Sequence, residues 1–173
     1  MKNKIVPTGR EVALEARDFI VSKTDTQGRI VYANRIFMRI SGYSEGELLG
    51  VQHNIVRHPD MPRGIFKLLW ETIAGGSECF AYVKNLCKNG DHYWVFANVT
   101  PDYGPRGEII GYFSVRRRPT RDAVSYFSQL YAEMLRMEQQ AGAKQAIEAS
   151  SALLARTITE NGFENYETFV LGH

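Results

Sequence analysis

The 173 residues include 44% hydrophobic and 23% charged side chains, close to the soluble-globular averages of about 45–50% and 25%, which excludes a wholly disordered or fibrous chain. Twenty-one Lys and Arg against 19 Asp and Glu leave a net charge of +2, too weak a field for a dedicated nucleic-acid binder. The basic opening Met1–Lys4 runs through only Ile5–Val6 before Pro7, whereas an export signal needs about 7–15 apolar residues. No run of about 18 apolar residues occurs either, so a cytoplasmic chain without a membrane span is expected. Cys79 and Cys87 read as reduced, buried thiols, with no second Cys/His pair to complete a metal site.

In chain order, Thr8–x–x–Glu11 has the form of a capping box and predicts a short helix carrying Val12, Leu14 and Ala16. Phe19–Thr24 and Arg29–Ala33 are β-rich runs separated by the turn signal Asp25–Gly28, which predicts a hairpin. Short helices are expected between Asn34 and Gly50, with a second capping box at Ser44–x–x–Glu47. Apolar residues at Ile65, Phe66, Leu69, Trp70 and Ile73 have helical spacing, and Gly75–Gly76 ends that helix. Three β-like runs follow: Cys79–Leu86, His92–Thr100 and Ile109–Arg116, with turns at Lys88–Asp91 and Gly104–Gly107.

The order predicts an α+β chain: one five-stranded antiparallel sheet with short helices on one face. Beyond Pro119 the balance of charge turns from +5 to −3 and good helix formers dominate. Val124, Phe127, Leu130, Tyr131, Met134 and Leu135 predict an amphipathic helix to about Gly142. A second helix carries Ile147, Leu153, Leu154 and Ile158. Their apolar stripes need either the sheet's open face or another copy of the chain. The expected division is an N-terminal cap segment over 1–17, a sensor domain over 18–118 and a C-terminal helical extension over 119–173.

Three stretches, Gly28–Asn34, Gly42–Ser44 and Lys88–Trp94, resemble the layout of a PAS domain over roughly residues 10–118. Within it, Asn54–Pro62 and Val83–Lys84–Asn85 are similar to the aerotaxis-receptor (Aer-type) subgroup, and the tail resembles short stand-alone proteins carrying this domain. The resemblance implies FAD binding, redox or oxygen sensing of the energy-taxis kind, a homodimer, and a signalling partner such as a chemoreceptor or kinase. One departure is visible. Where the subgroup places a flavin-associated Trp, four residues before Val–Lys–Asn, this chain has Cys79, and the surrounding residues lack the Asn–Cys–Arg signature of flavin–thiol photoreceptors.

From the residues themselves, Arg57 and His58 offer donors for a pyrophosphate, held stiffly by Pro59 and Pro62. The alternative is structural: Arg57 paired with Asp60, His58 capping the next helix, or Asp60 as its N-cap. Asn85 and Asn34 could bond a flavin edge. An aromatic wall could come from Trp70, Tyr82, Tyr93, Trp94 or Phe96. His53, His58, His92 and His173 keep a haem alternative open. Arg116–Arg118 reads as a solvated exit from the sheet. No nucleophile–base constellation, phosphate loop or nicotinamide fingerprint is present, so no catalytic residue is expected. A cofactor-free PAS module for dimerisation or protein docking is the alternative function.

Overall fold

A computed structural model describes residues 5–173. Strands β1 (Ile20–Asp25) and β2 (Ile30–Ala33) form the first hairpin. Asn34 then starts α1 (Arg35–Ser41): its carboxamide oxygen accepts from the amides of Phe37 (3.0 Å) and Val21 (3.1 Å), and its NH₂ donates to the Phe19 carbonyl at 2.8 Å. One side chain thus caps a helix and fixes it to the strand beneath. Helix α2 (Glu45–Leu48) follows, with the Glu47 carboxylate accepting from the Ser44 amide at 2.9 Å. A 3₁₀ turn (His53–Val56) leads to α3 (Arg63–Ala74).

Strands β3 (Cys79–Leu86), β4 (His92–Tyr103) and β5 (Ile109–Arg117) complete an antiparallel sheet of order β2-β1-β5-β4-β3. Helices α4 (Arg121–Ala141), α5 (Ala146–Glu160) and α6 (Tyr166–Leu171) end the chain.

Strand side chains alternate between faces, yet β3 and the first half of β4 are buried almost continuously. Such a pattern requires cover on both sides. The inner face, carrying Ile20, Tyr93 and Val95, meets Phe37 and Ile65 of the short helices. The outer face meets the C-terminal helices: Phe127 stacks on Tyr82 with ring centroids 4.4 Å apart, Tyr131 stacks on Trp94 at 6.2 Å, and the Tyr131 hydroxyl donates to the Tyr82 carbonyl at 2.7 Å. The sheet therefore supplies the partner that the apolar stripe of α4 requires.

The helix expected from Thr8 is not formed. Gly9 has φ +79°, a left-handed conformation incompatible with a first helical turn. The box residues find partners across the fold instead. The Thr8 hydroxyl donates to the buried Asp91 carboxylate at 2.6 Å, Arg10 pairs with the same carboxylate, and Glu11 pairs with Arg121. The backbone runs extended beside His92, with Val12 N–H bonded to the His92 carbonyl and His92 N–H to the Arg10 carbonyl. Residues 1–4 of the expected cap segment lie outside the described residues.

Phe127 is fully buried at the centre of the α4–sheet contact, so Phe127→Ala is expected to cost about 3–5 kcal/mol. A lowered urea midpoint with an unchanged slope is the expected measurement.

Candidate functional site

Between the inner sheet face and α3 lies a cavity of about 530 Å³. Small inward side chains on the central strands, Val83, Ala97 and Ser114, leave the space, and Phe66, Leu69, Trp70 and Ile73 of α3 roof it. Trp70 meets Tyr112 of β5 edge-on at 5.6 Å. The volume falls in the range of about 300–1,000 Å³ typical of small-molecule sites.

The floor is polar. Arg116, inward on β5 beside Ser22 and Thr24 of β1, is 2% exposed and has no carboxylate partner among the described residues. One of its N–H groups donates to the Ser22 hydroxyl, another lies 3.2 Å from His53 Nε2, and the guanidinium sits 4.6 Å over the Phe37 ring. Its Nε, the Thr24 hydroxyl and the nearby Tyr93 hydroxyl are buried without hydrogen-bond partners among the described residues. A guanidinium only donates, so His53 Nε2 must be an acceptor there, with the ring proton on Nδ1. Burial, and then Arg116, push His53 down to about 3. Burial pulls Arg116 down to about 10, still a cation at neutral pH.

At the mouth, Arg57 lies 4.5 Å over Phe66 and donates to the Met61 carbonyl at 3.3 Å. An isolated backbone bridge ties it to Asn85 on the β3 edge. Arg63 stands beside it on the same rim. His58 Nδ1 accepts from the Asp60 amide at 3.0 Å, which leaves the proton on Nε2. Burial, then Lys84, lower the His58 pKa.

Of the residues singled out in the sequence, Arg57, Asn85 and Trp70 line the cavity. Four do not, and each has a structural reason. Asn34 spends its carboxamide on β1 and α1. His58 is turned to an open groove on the far side of the Asn54–Arg63 loop. Asp60 pairs with Lys84 at 2.6 Å, neither bonding Arg57 nor capping α3, whose N-cap is Pro62. Trp94 occupies an outward position under α4, as strand alternation requires. Of the five aromatic wall candidates only Trp70 lines the cavity.

Arg116, Ser22 and Thr24 were not singled out for the site, and His53 was named only for the haem alternative. The signal available was the period-2 run Tyr112–Ser114–Arg116, which carries the first of three arginines inward. Cys79 lies beside the cavity in a small cluster with Ile73, Val99 and Tyr112, and burial raises its thiol to about 11.

The PAS-fold sequence profile matches residues 30–116. The chain belongs to the PAS-fold family. The aerotaxis receptor of Escherichia coli is 46% identical over 112 residues, covering 65% of this chain and 22% of the receptor. The nitrogen fixation regulatory protein of Klebsiella pneumoniae is 30% identical over 104 residues, covering 60% of this chain and 21% of that protein. This PAS chain thus spans about a fifth of the length of these curated relatives.

Among solved structures, a light-oxygen-voltage domain studied with a flavin analogue superposes with a TM-score of 0.56 at 21% identity, covering 64% of this chain and 83% of that one. The light-state LOV domain of the photoreceptor Aureochrome1 superposes with a TM-score of 0.54 at 24% identity, covering 68% and 90%. These likenesses concern the fold. Among the described residues no helix is long and apolar enough to cross a membrane, and no cluster of three His, Cys, Asp or Glu side chains could hold a metal.

The lowered histidines give a pH dependence of definite sign. A His whose folded pKa lies below its unfolded value of about 6.5 takes its proton more readily when unfolded. Its contribution to stability is complete above about pH 6.5 and is lost progressively as pH falls toward about 3 for His53. Urea midpoints measured from pH 7.5 downward should fall from about pH 6.5, and His53→Gln should flatten the decline.

Proposed function

We propose that this PAS domain is a redox sensor that holds FAD, with the ring system in the inner cavity and the pyrophosphate at the Arg57 rim. The observation that carries the reading is the floor: a buried, unpaired guanidinium with orphaned donors around it. Each unsatisfied buried polar group costs about 1–3 kcal/mol, and a flat guest with carbonyl and ring-nitrogen acceptors would satisfy the Arg116 Nε–H and the Thr24 hydroxyl, whose residues line the cavity. Phe66, Leu69 and Trp70 supply apolar cover for its faces, and Asn85 a bifunctional amide at its edge. The similarity to an aerotaxis receptor and to a nitrogen fixation regulatory protein supports a signalling role. Bound flavin would supply reversible electron uptake; the chain's own part is to bind, orient and read its charge.

Reading requires a difference in interaction energy between the two redox states. Arg116 provides one, because a fixed cation favours the form carrying more negative charge. The Asn54–Arg63 loop leads directly into α3, whose Gly64 amide donates to the buried Glu138 carboxylate of α4 at 3.1 Å, and Ser150 of α5 donates to the same oxygen at 2.7 Å. Movement at the rim therefore reaches the C-terminal helices through a bonded contact. The domain division at about residues 17 and 118, a cytoplasmic location, a non-enzymatic role, a homodimer and a chemoreceptor or kinase partner belong to the same proposal. Sensor kinases among the relatives favour that partner class.

Protein purified under mild conditions is expected to be yellow, with a flavin absorption spectrum; colourless protein that takes up no flavin overturns the cofactor and leaves the docking module. Arg57→Ala should lower affinity for FAD about tenfold, the weight of one charge-assisted contact. Arg116→Gln should make bound flavin harder to reduce, read as a more negative midpoint potential.

A further inference from the structure

The rim of the cavity is also the rim of a second space. An open groove of about 910 Å³ lies outside the Asn54–Arg63 loop, and its opposite wall is built by the α4–α5 junction. Asn54, Arg57 and Arg63 line both the cavity and the groove, so these three residues stand between the two spaces and a guest reaching from one to the other would pass two guanidinium groups. Neither arginine has a carboxylate within ion-pair distance among the described residues.

His58 points to the same occupant. It is 2% exposed and lines the groove, and with Nδ1 accepting from the Asp60 amide its Nε2–H has no hydrogen-bond partner among the described residues. Three donors, two of them cationic, therefore line the groove, Arg57 and Arg63 at the wall it shares with the cavity and His58 beside them, an arrangement that suits a pyrophosphate. Among the described residues Glu138 is the single carboxylate on the groove wall, and it is tied down by the Gly64 amide and the Ser150 hydroxyl. Beyond the donors, Gly142, Ala143 and Ala146 present a wall without bulky side chains, against which a flat heterocycle can lie.

We infer that the groove binds the adenylate half of a flavin dinucleotide, so that α4 and α5 form part of the cofactor site itself. The inference rests on the flavin reading above and adds a subsite to it. Its physical consequence is discrimination: FMN ends at the rim, whereas FAD reaches the C-terminal helices.

The test titrates the full chain, stripped of flavin, separately with FAD and FMN while following flavin fluorescence, with AMP as competitor. FAD is expected to bind at least about tenfold more tightly than FMN, and AMP should weaken FAD binding while leaving FMN binding unchanged. Ala143 is exposed in the α4–α5 connection, so Ala143→Trp can fill the groove without entering the core. It should bring FAD affinity down to that of FMN and leave FMN affinity within about twofold. Gln139→Trp, exposed on α4, should act in the same direction. Equal affinities of the unaltered protein for FAD and FMN, or equal weakening of both by Ala143→Trp, overturn the groove and leave the flavin reading standing. Binding of neither flavin overturns both.

Discussion

A guanidinium enclosed between a sheet and its helices, with no carboxylate to neutralise it, is the constraint around which this domain is arranged. Leaving a buried charge without a partner costs about 3–5 kcal/mol in proteins where one side of a pair has been removed. Here Arg116 is held by weaker means: the Ser22 hydroxyl, a neutral His53 and the face of Phe37. These neighbours orient the charge without cancelling it. The cavity above it therefore has a fixed polarity, positive at the floor and positive again at the Arg57–Arg63 rim, with an apolar roof between. The proposed flavin matches that polarity: electronegative at one edge, flat and apolar in the middle, and anionic where it would leave.

Tolerance of that charge depends on stability gathered elsewhere, and the outer face of the sheet is where it is gathered. Phe127, Tyr131, Phe169 and Val170 are buried against β3 and β4 or against one another, each worth roughly 1.5–3 kcal/mol of apolar burial. The same helices return to the inner side through α5, which approaches α3 so closely that a Cβ on Gly64 would come within 2.5 Å of the Ser150 hydroxyl. Glu138 sits in that contact and accepts from both elements. The C-terminal helices are thus bonded to the segment that shapes the site, the contact on which the proposed relay depends.

The succession of strands and helices along the chain, the hairpin turns and the stop of α3 were legible because they depend on local signals: alternation, glycine in turns, and 3.6-residue spacing. The cap helix was misread because Thr8 and Glu11 satisfy a local pattern while their partners, Asp91 and Arg121, lie far along the chain. The site was legible at its rim and opaque at its floor for a related reason. Arg57 and Asn85 stand out beside a proline-bounded loop and inside an apolar strand, whereas Arg116 opens a basic triplet that looks like a solvated strand end. Only the pairing of β5 between β1 and β4 turns that residue into the centre of a sheet. Trp94 shows the converse, since nothing local says that a helix thirty residues onward covers its face.

Cys79 brings these threads together. The subgroup resemblance places a tryptophan there, and the loss of an indole from an interior position ordinarily leaves a void that close packing does not tolerate. Here the thiol is packed among Ile73, Val99 and Tyr112, and Tyr166 of α6 packs against that cluster. Aromatic bulk is thus supplied by the C-terminal helices at the β3 end, while Trp70 of α3 supplies an indole to the cavity from the opposite wall. At this corner the small Cys79 on β3 and Tyr166 of α6 share one packed cluster. Tyr166 thus joins α6 to this corner of the interior by van der Waals contact, as Glu138 joins α4 to the helix that follows the rim by a hydrogen bond.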